Sequence, residues 1–188
     1  MNTVEKAKEM AILETKKYGV PIADHFDISE KKALELANLF GADKDVILLG
    51  IYLMDLKLGQ SIEEGNIDEH VKMGIEAAKD FLSDSDMDEE RTKKVINCIE
   101  SHRGRLPFVC KEAEICANAV CYRFLHPKGF MSYMAFLGKK HKDIFELLDE
   151  LEKSIDDKYS LLSLDICKKE LEEYYNDIKG FIGSARMF

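Results

Sequence analysis

Val46-Ile-Leu-Leu-Gly-Ile-Tyr-Leu-Met54-Asp55-Leu-Lys-Leu-Gly59 is the stretch that decides how this chain folds. It opens after the turn-like run Gly41-Ala-Asp-Lys44 and stays apolar on every side until Asp55. A helix that is apolar all round belongs inside a core, because no face of it prefers water. A carboxylate carried at the end of such a helix is costly to bury unless a positive group meets it. The dipole at a helix C-terminus disfavours negative charge as well. Two readings of Asp55 follow. Either it has reached the surface and pairs with Lys57, or it holds a cation at the floor of a pocket.

Helical spacing continues on both sides of this stretch. Residues 3 to 19 read as a helix with Ala7, Met10, Ala11 and Glu14 on one side, stopped by Gly19 and Pro21. A second begins near Ala23, carries His25 in its first turn, and turns Ile28, Ala33, Leu36, Ala37 and Phe40 inward. Gly59 to Gly65 reads as a loop. Asn66 then starts a helix in which His70, Met73, Gly74, Ala77, Ala78 and Phe81 share one face. Acidic residues 84–90 precede a helix with Val95, Ile96 and Ile99 inward, ending at Ser101-His102-Arg103-Gly104. After the loop Arg103-Gly-Arg-Leu-Pro-Phe108, helices are expected at Glu112 to Leu125 and at Lys128 to Leu137, with two charged amphipathic helices in the last fifty residues. No alternating strand pattern and no internal repeat is present. The expected architecture is all-α, a compact bundle of about eight helices.

Composition narrows the function. At 188 residues with 46% hydrophobic and 34% charged residues the chain reads as an ordinary globular protein and one domain. The formal net charge of −9 argues against broad nucleic-acid binding, which needs a basic face. No run is long and apolar enough for a membrane span. The charged N-terminus lacks the apolar core of a signal peptide, and the 5 cysteines form no Cys-x-x-Cys pair. A cytoplasmic protein with reduced thiols is the expectation.

Three of the 5 histidines stand at comparable places. His25 and His70 lie near helix starts, and His102 lies at a helix end beside the basic loop. Imidazole nitrogen and carboxylate oxygen together suit divalent ions such as Mn, Fe, Ni and Zn, and ligands from separate helices converge in many bundle cores. No short local motif such as His-Glu-x-x-His joins them. His126 and His141 read as surface residues.

The order of these pieces resembles a known family. His25, then Leu53-Met54-Asp55, then Glu69-His70-Val-Lys-Met-Gly74, then Ile99-Glu-Ser-His102, then Asn118-Ala119-Val120 is similar to the HD-domain metal-dependent phosphohydrolases. The resemblance spans about residues 23 to 125 and implies an HD-like core of about 23–137 with a C-terminal helical extension of about 140–182. It also implies where the pattern is broken. Met54 stands where a His ligand is expected, Val120 where an Asp is expected, and the His-Asp-x-Gly-Lys run reads Met54-Asp55-Leu-Lys57-Leu. Valine ligates nothing, and a thioether suits hard or borderline ions poorly.

What survives is His25, Asp55, His70 and His102, the last two matching positions that hold a second ion in the two-metal branch of the family. The resemblance therefore implies a depleted site for a single divalent ion (Mn, Fe, Ni, Zn or Mg), with Asp55 and His70 central to the chemistry. Arg103 and Arg105 are placed to hold the phosphate of a nucleotide or other phosphorylated small molecule, since guanidinium forks match its oxygens. Two solvated loop arginines are the plainer alternative. Lys57 and Lys72 are weaker candidates of the same kind. A second function class is a scaffold that has lost catalysis and binds a nucleotide, a phosphometabolite or a protein partner. A third lets Met54, Cys116 and Cys121 take a thiophilic ion, against the simpler reading of core packing. The apolar ridge Leu147, Leu151, Ile155 and Leu162 is expected either to join the core or to form a homodimer interface, the core reading being preferred.

Overall fold

The computed structural model describes residues 1–104 and 106–187. Among the described residues the chain forms α1 (Thr3–Tyr18), α2 (Ala23–Phe40), α3 (Lys44–Leu53), α4 (Leu58–Glu63), α5 (His70–Ser83), α6 (Glu89–Ser101), α7 (Lys111–Leu125), α8 (Pro127–Lys140), α9 (Ile144–Ser160) and α10 (Asp165–Ala185). A short 3-10 turn, Ile67–Glu69, precedes α5, and no strand is present among these residues. The all-α expectation holds.

Helix ends follow local chemistry. Asn2 and Glu5 form a reciprocal capping box at the start of α1, satisfying donors that the first turn leaves free. Gly19 and Gly41, at φ 76° and 60°, close α1 and α2 in the left-handed conformation that glycine adopts without a Cβ penalty. Asp43 caps α3 by accepting from the backbone N–H groups of Asp45 and Val46 at 3.0 and 3.2 Å. The same carboxylate is gripped by Arg91 of α6 through two hydrogen bonds of 2.8 and 3.0 Å. The supposed turn before the central helix is thus a cap that also ties α3 to α6.

α3 is the buried centre. Val46, Ile47, Leu49, Ile51, Tyr52 and Leu53 have no more than 2% of their surface exposed, and α1, α2, α6 and α7 pack around them. At about 1.5–3 kcal/mol for each large apolar side chain removed from water, this burial outweighs the helix's own propensity. Gly50 is required by close approach. A Cβ there would meet the Cβ of Cys98 at 2.6 Å, so any larger residue pushes α6 away.

Two boundaries differ from the sequence reading. The central helix stops at Leu53, and residues 54 to 57 form a turn that carries Asp55. The expected loop from Gly59 is instead α4, whose Ser61 hydroxyl donates to the Leu58 carbonyl at 2.8 Å. Its Gly59 lies so close to Tyr18 that an added Cβ would overlap that side chain. Contact with α1 holds this polar segment in a helical turn that its own periodicity does not announce.

At the C-terminal end, α9 packs on α7, α8 and α10. Leu147, Leu151, Ile155 and Leu162 are buried within the chain, which resolves the ridge as core. Asn118 pins this end to α7: its carbonyl oxygen accepts from the backbone N–H groups of Ser163 and Leu164, and its amide donates to the Ser163 hydroxyl. No helix among the described residues is long and apolar enough to cross a membrane.

Candidate metal centre

The turn after α3 delivers Asp55 into a junction of α2, α5, α6 and α7. Its carboxylate is divided between two kinds of partner. On one side Arg123 of α7 donates from Nη1 to Oδ2 at 2.6 Å. Arg123 is 1% exposed, one of the largest fully buried side chains in the molecule. Its Nε donates to the Ser29 hydroxyl at 2.9 Å, and that hydroxyl donates in turn to the His25 carbonyl at 2.5 Å. The guanidinium therefore spans from α7 to α2 across Asp55. Its Nη2 is buried with no hydrogen-bond partner among the described residues.

On the other side stand two imidazoles. His102 Nε2 lies 3.6 Å from Asp55 Oδ1, and the His70 and His102 rings are 5.9 Å apart edge to face. One ligand atom from each of Asp55, His70 and His102 falls within 4.8 Å of the others. Both rings are fixed by the same local device. His70 Nδ1 lies 2.7 Å from the Ile67 carbonyl, and His102 Nδ1 lies 2.6 Å from the Ile99 carbonyl, three residues back in each case. A carbonyl only accepts, so each Nδ1 carries the hydrogen and each Nε2 presents a lone pair. Such a bond from the second ring nitrogen is what orients histidines that ligate metals.

Electrostatics agree with this division. Burial pushes the Asp55 carboxyl up, but Arg123, then His102 and His70, more than offset it and hold the group well below the usual carboxylate range. His102 is lowered to about 4, chiefly by burial against the opposing pull of Asp55. Burial and then Arg123 lower His25 to about 3. Lys158, reaching in from α9 over the Phe124 ring at 5.2 Å, is lowered by burial and feels Asp55, Arg103 and Arg123. The donor group is acid-poor: its one carboxylate meets the Arg123 guanidinium on one side and the imidazoles of His70 and His102 on the other.

The structure sorts the residues singled out in the sequence. Asp55, His70 and His102 come together. His25 is buried beside them but lies outside the tight donor group, its ring against Phe124 and Tyr133 at centroid distances of 5.4 and 6.4 Å and its Nε2 without a partner. Met54 and Val120 are buried, at 0% and 3% exposure. The pairing of Asp55 with Lys57 is not formed, because Arg123 takes that role from the core side. Lys57 instead borders a shallow apolar cleft with Met10, Leu13 and Leu56. Lys72 points away and pairs with Glu69 at 3.4 Å on the surface. Arg103 lies in the turn after His102, near Lys158; Arg105 lies outside the described residues.

The thiophilic alternative fails on placement. Cys116 and Cys121 are buried, their thiols directed to the Ile47 and Ala117 carbonyls, and neither belongs to the donor group. Burial pushes the Cys121 thiol up to about 12, far from the thiolate a metal needs. His126 and His141 are structural and half-buried, not free surface residues. The first caps α8 and the second pairs with Glu150 at 2.6 Å.

Two participants escaped the sequence reading, Arg123 and Lys158. Arg123 left a signal, being the one charged residue between Ile115 and Leu125. A lone charge in an apolar helix calls for a buried counter-charge, just as Asp55 does. Lys158 left none, since α9 is charged throughout.

Asp55 Oδ1 with the two Nε2 atoms makes a two-histidine, one-carboxylate face of the kind that suits Mn, Fe, Ni or Zn. That side fits a divalent ion. The Oδ2 side does not, because a guanidinium already lies on it.

Comparison with known proteins supports the fold. The chain is similar to the crystal structure of a predicted HD superfamily hydrolase from an uncultured Thermotogales bacterium, at a TM-score of 0.63. The match covers 92% of this chain and 94% of that one, with 18% sequence identity. No protein-family model matches the chain, and no curated protein matches it. The chain has an HD-like helical fold.

Proposed function

We propose that this chain is a single-ion phosphohydrolase acting on a nucleotide or another phosphorylated small molecule. The observation that carries the reading is the paired locking of His70 and His102. Each ring spends Nδ1 on its own chain, which leaves two Nε2 lone pairs facing one carboxylate oxygen. Asp55, His70 and His102 would hold the ion. A divalent ion so held supplies a Lewis acid and a water of lowered pKa.

The chain's own groups do the rest. The net charge of −9 repels anions at long range, but screening confines that repulsion to about 8 Å at physiological salt. Capture of a phosphate therefore depends on local cations, and Lys158, which feels both Asp55 and Arg103, together with Arg103 would provide them. The Nδ1 bonds of His70 and His102 to the Ile67 and Ile99 carbonyls fix both rings and leave each Nε2 free to face the ion. Arg123 keeps Asp55 ionised whatever happens on the other side.

The test is metal analysis of the purified protein, with melting in Mn or Ni and in chelator, followed by hydrolysis assays on nucleoside mono- and triphosphates. A bound ion stabilises by mass action, about 2.7 kcal/mol at a hundredfold excess over Kd. Expected are metal-dependent melting and metal-dependent phosphate release. A chain that binds no ion and releases no phosphate would contradict the reading.

The Asp55–Arg123 pair favours a second reading, a scaffold without turnover that binds a phosphorylated ligand through Arg103, Lys158 and the guanidinium. Nucleotide would then raise the melting temperature equally with and without chelator, and no phosphate would be released.

A further inference from the structure

Asp55 is the only carboxylate in the donor group, and its two oxygens have different fates. Oδ1 faces His102 Nε2 at 3.6 Å, while Oδ2 is held by Arg123 Nη1 at 2.6 Å. The guanidinium is fixed at a second point by Ser29 and lies over the Phe26 ring at 5.8 Å, so it is a built part of the core and not a visiting side chain. The elements it joins carry His25 on α2, Met54 just before Asp55, and Val120 on α7, all buried. Two of these three cannot donate to a hard cation.

Deepening the single-ion reading, on which the ion count rests, we infer that Arg123 is a permanent cation supplied by the chain in the place a second metal ion would take beside Asp55. Charge supports this. A divalent ion there would need two carboxylates for neutrality, and the side facing α2 and α7 offers one, which a single guanidinium balances. Geometry supports it too. The guanidinium touches the same carboxylate, reaches the turn of α2 that carries His25, and comes from the same helix as Val120, one turn on. The centre therefore takes one ion, on the imidazole side. Arg123 Nη2 is buried with no hydrogen-bond partner among the described residues, so the fork is not fully spent on Ser29 and Asp55.

Mn binding counted by equilibrium dialysis in paired variants tests this. The parent is expected to bind one ion per chain, with the six-line resonance of an isolated Mn(II). Met54→His with Val120→Asp, Arg123 retained, is expected to gain none. Adding Arg123→Ala to those two substitutions is expected to gain one further ion, with a spin-coupled pair signal. A parent with two ions overturns the inference, as does a double variant that gains an ion with Arg123 in place, or a folded triple variant that gains none. A parent with no ion and a triple variant with one would sink the single-ion reading while upholding the guanidinium's place.

Should the triple variant fail to fold, Arg123→Met, closer in volume, replaces Arg123→Ala beside Met54→His and Val120→Asp. Mn is then expected to raise its melting temperature more than it raises the parent's. An equal or smaller rise overturns the inference.

Discussion

The two sides of Asp55 solve the same problem, a buried negative charge, by opposite means. On the side towards α2 and α7 the solution is permanent: Arg123 donates at 2.6 Å and is itself clamped by Ser29. On the side towards α5 and α6 no ion pair with a lysine or arginine is formed among the described residues. His70 and His102 offer lone pairs, and His102 comes no nearer to the carboxylate than 3.6 Å. A closed ion pair satisfies itself, whereas the imidazole side leaves donor atoms open. The difference separates the half of the junction that is complete within the chain from the half that could hold a metal ion.

Removing the shared acid breaks both halves and has the largest expected effect. Asp55→Asn keeps the shape but leaves the Arg123 guanidinium buried without a counter-charge, which costs about 3–5 kcal/mol. Urea unfolding monitored by circular dichroism would show it. A loss below about 1 kcal/mol would mean that Arg123 finds water, contrary to its 1% exposure.

Acid separates the sides less drastically. In metal-free protein His25 and His102 titrate at about 3 and about 4 when folded, below their ordinary value of 6.5. Between those limits the unfolded chain binds more protons, so stability rises with pH and is lost as pH falls from about 6.5 towards 4. Below about 3 the imidazole contribution levels off, and the depressed Asp55 carboxyl adds its own loss below its ordinary 3.8. A proton that binds ten times more weakly to the folded chain than to the unfolded one is worth about 1.4 kcal/mol. With relaxation of the two rings allowed for, the fall from pH 7 to 4 is on the order of 3 kcal/mol. Added Mn competes with protons for the imidazoles that hold it, so it should steepen the fall with acid and leave the His25 part unchanged. An unfolding free energy that is constant from pH 7 to 4 would contradict the burial of both rings.

The smallest effect sharpens the comparison by sparing it. Gly74 lies one turn beyond His70, and a Cβ there would meet the Leu53 and Met54 carbonyl oxygens at 3.7 Å, an ordinary contact. Gly74→Ala is therefore expected to stabilise α5 by about 0.5 kcal/mol through helix propensity, with Mn affinity unchanged. A destabilised variant would show that the backbone beneath the donor group is tighter than these distances allow.

Much of the fold was legible because it is locally encoded. Apolar periodicity and glycine stops placed α1 and α2, and the all-round apolar run announced α3 as the core. The site was legible in part. The resemblance to HD-type enzymes put His25, Asp55, His70 and His102 in one neighbourhood; the structure brings the last three into one donor group and leaves His25 outside it. What could not be read was contact between distant parts of the chain. Arg123 is 68 residues from Asp55, and nothing in the local pattern assigns the two to each other. α4 was missed for the same reason, its helical turn being held by Tyr18 of α1. Asn118, read as the remnant of a ligand motif, fastens α7 to the segment before α10.

The most direct measurement is Mn binding to the parent and to His70→Ala, followed by isothermal titration calorimetry. One ion per chain in the parent, with affinity reduced at least about tenfold in the variant and circular dichroism unchanged, is the predicted result. No binding to the parent, or equal binding to both, would contradict the claim that the imidazole side of Asp55 is a metal centre.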